Sequence, residues 1–157
     1  MINLNGNIVQ DSEANLSVLN RGFAYGDSVF ETIRVINGKI MFWEDHYFRM
    51  MASMRIMRME IPSSFSPEFL EKEIVSIVEK NDLNEKAARV RFAVYREEGG
   101  FYTPATREIA YVMTVVEMEN SFYLLNTEDY EIELFKDHYV GSGLLSTIKS
   151  NNRAVNV

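Results

Sequence analysis

Lys149, Arg49 and the two histidines, His46 and His138, are the residues whose types and settings invite chemistry. Lys149 closes an apolar run, Gly143-Leu144-Leu145-Ser146-Thr147-Ile148, just before Ser150. A lysine held partly out of water has its charged form disfavoured, so the neutral amine that a Schiff base requires becomes available. A solvated lysine at a strand end is the plainer reading of the same position. Arg49 lies one turn after His46 on a methionine-rich segment. There its planar fork of donors either snorkels to water or binds an anion. Arg89 and Arg91 alternate onto one strand face with Tyr95, and a solvated face accounts for them without a ligand.

Several other chemistries are excluded. There is no cysteine, which removes disulfide scaffolds, thiolate zinc sites and cysteine nucleophiles, and makes a reducing cytoplasm the simple expectation. No G-x-S-x-G elbow accompanies the histidines, so a hydrolytic triad is not expected. His46 follows Glu44 and Asp45, but adjacent helix positions diverge and do not converge on one metal ion. Ile148 stands before Lys149-Ser150 where a phosphate-binding P-loop needs glycine, so Gly141-Ser142-Gly143 reads as a loop.

The elements that must position these residues follow from periodicity. Asn5-Gly6 and Asn37-Gly38 are two-residue hairpin turns, the first joining residues 2–4 to 7–9 and the second joining residues 29–36 to 39–42. In the longer strand Val29, Glu31, Ile33 and Val35 share one face, and Phe30, Thr32, Arg34 and Ile36 the other. Three- and four-residue spacing of Tyr47, Met50, Met51, Met54 and Met57 predicts a helix over residues 44–59, stopped by Pro62. Ser66-Pro67 starts a second helix that runs to Asn81. Residues 88–96 and 108–118 read as long strands around a Gly99-Gly100 loop, 130–135 as a further strand, and 144–148 as a short buried one. A helix is expected from Ser150 onward.

Sixteen Lys and Arg against twenty-three Asp and Glu give the 157-residue chain a formal charge of −7, which argues against a nucleic-acid binder. With 46% hydrophobic residues the chain is too apolar for a disordered coil, yet no stretch is long enough to span a membrane. Asp137 is the last acid, so the segment that holds Lys149 and Arg153 is basic. The apolar pattern beginning at Ala154 and Val155 stops at Val157, which reads as an interrupted element.

Three segments together resemble a known family. Arg21-Gly22-Phe23-Ala24-Tyr25-Gly26-Asp27-Ser28-Val29-Phe30-Glu31-Thr32 is similar to the N-terminal signature of class IV aminotransferases, the fold-type IV pyridoxal-phosphate enzymes. His46-Tyr47-Phe48-Arg49-Met50 resembles their H-x-x-R-L helix, and Ile148-Lys149-Ser150-Asn151-Asn152-Arg153 their cofactor-lysine segment. The resemblance implies an α+β architecture: a two-layer small domain, an antiparallel sheet with two helices, over residues 1–118. A linker (119–128) and the start of a second β-rich, cofactor-binding domain (129–157) would follow.

It implies that Lys149 is the catalytic residue, carrying pyridoxal 5′-phosphate as a Schiff base and moving the substrate proton. Arg49 would hold the cofactor phosphate, and Tyr25, Phe30 and Arg91 would line the substrate side. The implied reaction is amino transfer between an amino acid and a 2-oxo acid by a homodimer, with no metal, nucleic acid or membrane partner. Aminodeoxychorismate lyase chemistry is the alternative, and a non-catalytic N-terminal fragment or interaction module a further one. The loop Glu97-Glu98-Gly99-Gly100-Phe101-Tyr102 lacks the Arg-x-His carboxylate trap of D-amino-acid aminotransferases, and Ala154 stands where branched-chain enzymes place a tyrosine. Family members also carry, beyond the lysine, a glutamate for the pyridine nitrogen and a Gly-Ile-Thr-type phosphate turn. No acid follows Lys149 here, so the 157-residue piece alone is expected not to transaminate.

Overall fold

The computed structural model describes residues 1–125, 127–136, 139 and 141–152. Its centre is a six-stranded sheet in the order β2-β1-β6-β5-β3-β4, with every neighbouring pair antiparallel. The strands are β1 (Ile2–Leu4), β2 (Asn7–Val9), β3 (Ser28–Ile36), β4 (Lys39–Ile40), β5 (Ala87–Arg96) and β6 (Ile109–Glu117). Both predicted hairpin turns form with positive φ at each central residue: Asn5 at 53° and Gly6 at 83°, Asn37 at 48° and Gly38 at 72°. That is the backbone a two-residue turn needs to match the strand twist.

Two helices cover one face of the sheet. Helix α2 (Trp43–Ile56) contributes Met50, Met51 and Met54, and α3 (Pro67–Glu79) contributes Leu70, Ile74, Ile77 and Val78. They pack on Val29, Ile33 and Val35 of β3, Val90, Phe92 and Val94 of β5, and Met113 of β6, all buried. Each such side chain contributes on the order of 2 kcal/mol of transfer free energy. Helix α3 begins as its sequence demands, with Ser66 Oγ accepting from the Phe69 amide at 3.2 Å and Pro67 in the first turn. A short helix, α1 (Arg21–Tyr25), was not anticipated; Asn20 caps it and Gly26, at φ 65°, ends it.

The structure differs from expectation elsewhere too, and α3 ends at Glu79 rather than Asn81. Met41 and Phe42 leave β4, because Phe42 takes a left-handed φ of 53° to begin α2. Helix α2 ends at Ile56 rather than Met59. Residues 130–135 join no sheet, and their large apolar groups, Tyr130, Ile132, Leu134 and Phe135, are exposed. Alternation sets which face a residue would take, but the tendency to form a strand depends on context. Leu144–Thr147 forms a 3₁₀ turn instead of a strand, held by Ser146 and Thr147 hydroxyls donating to the carbonyls of Gly143 and Leu144. The helix expected from Ser150 falls mostly outside the described residues, as does His138.

Candidate active site

Three stretches distant in sequence meet at the start of β3. Residues 149–151 run antiparallel along its edge. The Phe30 amide donates to the Lys149 carbonyl at 2.9 Å, and the Asn151 amide to the Ser28 carbonyl at 3.0 Å. Ile148 and Ser150 are buried, which seats the segment firmly. The Lys149 side chain, 30% exposed, therefore sits at the strand edge with its Nζ 5.0 Å from the centre of the Phe30 ring and 3.8 Å from Glu31 Oε2.

Glu31 organises the cluster. It occupies the buried face of β3 among Val29, Ile33 and Val35, with a side chain only 1% exposed. A buried carboxylate needs strong partners, and α2 supplies them at positions one turn apart. Arg49 Nε donates to Glu31 Oε1 at 2.7 Å and its Nη2 to Oε2 at 2.6 Å, a bidentate pair. His46 Nδ1 lies 2.8 Å from Oε2. Because the carboxylate only accepts, Nδ1 carries the proton, and the 3.1 Å approach of Arg49 Nη2 to it is a contact rather than a second bond. Burial alone would raise the Glu31 carboxyl, but the hydrogen bonds from His46 and Arg49 and the charges of Arg49 and Lys149 outweigh it. They hold the group below its ordinary value of 4.5. The pairing with Glu31 in turn raises Arg49. Arg49 Nη1 makes no hydrogen bond among the described residues, and the side chain is 45% exposed.

On the opposite face of the sheet, Arg91 lies with its guanidinium 4.0 Å from the centre of the Phe30 ring and donates to Asn151 Oδ1 at 2.9 Å. Asn151 donates onward to Ser28 Oγ at 2.6 Å. Desolvation, and then the neighbouring Arg89 charge, lower Arg91 from its ordinary value. Tyr25 stands at the end of α1 under the Arg21 guanidinium, 4.7 Å from its ring centre, with the Tyr102 ring 6.0 Å away. Gly26, the next residue, faces Asn152. The structure thus brings Lys149 to the strand edge between two groups, Glu31 with Arg49 on one face and Phe30 with Arg91 on the other; Tyr25 contacts Arg21 and Tyr102 instead. Glu31 and His46 were not assigned roles from sequence. The available signal was an acid on an otherwise apolar strand face, which requires cationic partners such as an H-x-x-R pair one turn apart.

The amino-transferase class IV family model matches residues 28–157, the span that contains β3, α2 and the Lys149 segment. The chain belongs to the class IV aminotransferases. D-alanine aminotransferase of Staphylococcus aureus (strain N315) is 33% identical over 107 residues, covering 68% of this chain and 33% of that protein. The chain therefore spans about a third of the length of the curated relatives it matches. Among solved structures, the T.th. branched-chain amino acid aminotransferase with pyridoxamine 5′-phosphate is similar at 31% identity and a TM-score of 0.66. That likeness covers 75% of this class IV chain and 40% of that one. The 4-amino-4-deoxychorismate lyase of Pseudomonas aeruginosa is similar at 25% identity and a TM-score of 0.59, over 74% of this chain and 40% of that one.

Proposed function

We propose that this chain forms the part of a pyridoxal-phosphate-dependent aminotransferase that presents the cofactor lysine, Lys149, beside a phosphate-binding arginine, Arg49. The observation that carries the reading is the Glu31 cluster, in which one buried carboxylate orients Arg49 and faces Lys149 Nζ at 3.8 Å. Those residues suit a phosphorylated aldehyde. Arg49 is locked in plane by Glu31 and keeps Nη1 for an anion, while Lys149 offers an amine within the same cluster. When bound, pyridoxal phosphate supplies an aldehyde and an electron-accepting ring. The chain's own residues do the rest. Arg49 binds the phosphate, Glu31 and His46 hold Arg49 in place, and Phe30 walls the lysine from solvent. Lys149 Nζ holds and moves the proton of the reacting carbon. Arg91 and Tyr25 then line the substrate side, and the protein works as a homodimer.

The test is amino transfer by the full-length protein. With pyridoxal phosphate and 2-oxoglutarate, it is expected to form glutamate from a panel of L- and D-amino acids, and Lys149→Ala to reduce this to background. A second reading, lyase chemistry, draws on the likeness to the Pseudomonas lyase. Pyruvate release from aminodeoxychorismate without glutamate formation would replace the first reading with the second. Neither product would overturn both.

A further inference from the structure

A second buried ionic group includes Arg21, whose guanidinium lies over Tyr25. Asp27 Oδ2 accepts from Arg21 Nε and from Arg96 Nε, both at 2.9 Å. The three side chains are 12%, 4% and 6% exposed. Two arginines on one carboxylate oxygen, largely out of water, are a weak source of stability, because desolvation offsets most of their attraction. What they reach for is more informative. Arg21 Nη1 donates to the carbonyls of Gly99 at 3.1 Å and Phe101 at 2.8 Å, and its guanidinium lies on the Tyr25 ring. Arg96 Nη2 donates to the Met57 carbonyl at 2.6 Å, at the end of the helix that carries His46 and Arg49. One carboxylate thus ties three pieces together: helix α1 with Tyr25, the loop at residues 97–105, and the C-terminal end of α2.

The loop is shaped to be held this way. Gly100 has φ 73°, and a Cβ there would lie 2.1 Å from the Thr103 carbonyl oxygen. The Ala105 amide donates back to the Gly99 carbonyl at 3.1 Å, closing a tight tip. That tip carries Phe101 and Tyr102, both exposed, with Tyr102 against Tyr25. We propose that the Arg21–Asp27–Arg96 group is a positioning clasp, in which Arg21 sets the loop of residues 97–105 against Tyr25 and so fixes the substrate side of the site. The proposal rests on the aminotransferase reading. Arg21 acts through Tyr25 and the loop, so it is a positioning residue and not a catalytic one.

Arg21→Gln and Arg21→Lys in the full-length protein test this, beside Leu70→Ala, a core truncation in α3 that serves as a control for lost stability. The clasp predicts faster amide exchange at Ala105 in both Arg21 variants than in the control. It also predicts KM for leucine and alanine, in whichever hand the enzyme accepts, raised about tenfold with kcat changed less. Arg21→Lys should not rescue KM, since an ammonium cannot reach Asp27 and two carbonyls as a fork does. A merely structural Arg21 would give the control's exchange and an unchanged KM, and that result overturns the proposal. Reductive labelling with pyridoxal phosphate separates the two claims. An Arg21 variant still labelled at Lys149 but without the loop or KM effect sinks the clasp alone. A wild-type protein not labelled at Lys149 sinks the aminotransferase reading, and exchange at Ala105 then still judges the clasp.

Discussion

Glu31 shows how one side chain can be read two ways. By alternation it belongs with Val29, Ile33 and Val35, and the structure buries it there. Its charge makes that burial costly unless partners approach, and Arg49, His46 and Lys149 all do. Removing Arg49 therefore leaves a buried acid with weaker support. Arg49→Met is expected to cost about 2 kcal/mol at neutral pH, below the ~3–5 kcal/mol of a fully buried pair because Arg49 is half-exposed. The sign of the pH dependence follows from the lowered Glu31 carboxyl. Its contribution is fully present above the ordinary value of 4.5 and is lost as pH falls through the lower folded-state value. The stability gap between wild type and Arg49→Met, measured by urea unfolding from pH 7 down to pH 3, should close below about 4.5. A gap constant over that range would mean that Arg49 does not act through Glu31. The sequence motifs pointed to Arg49 and Lys149. The link between them was hidden, because alternation says which face a residue takes but not which distant residue meets it.

At the scale of elements, local signals proved legible wherever the chain itself closes the structure. Asn-Gly turns, the Ser66-Pro67 helix start and the methionine periodicity of α2 all act over a few residues, and all formed. Residues 130–135 have equally good strand alternation and are irregular, because strand propensity depends on context more than helix propensity does. Helix α1 was missed because five residues carry too little periodicity to register, although Asn20 and Gly26 supply both caps. Glycine positions separate in the same way. Gly100→Ala should destabilise the protein by about 2 kcal/mol or more, through positive φ and the clash with the Thr103 carbonyl. Gly141→Ala, with nothing within 4 Å of its added methyl, should change stability little, and thermal unfolding of the two variants checks the contrast. Ser66→Ala should cost about 1 kcal/mol by removing the α3 cap.

For the molecule as a whole, the family membership and the fold agree with what three short segments implied, while the clasp around Asp27 could not be read from any one of them. Arg21, Asp27 and Arg96 sit in two segments some seventy residues apart, joined only because β3 and β5 pair along their full length. The same pairing places Phe30 and Arg91 on one face, and the edge of β3 is where the lysine segment docks. Every role proposed for Arg49, Phe30, Arg91 and Tyr25 requires Lys149 to be the cofactor lysine of that docked segment. The most direct measurement incubates the full-length protein with pyridoxal phosphate, reduces it with borohydride and maps the adduct by peptide mass. A single stable adduct at Lys149, weakened in Arg49→Met and absent in Lys149→Ala, is the predicted result; an adduct at another lysine, or none, would contradict it.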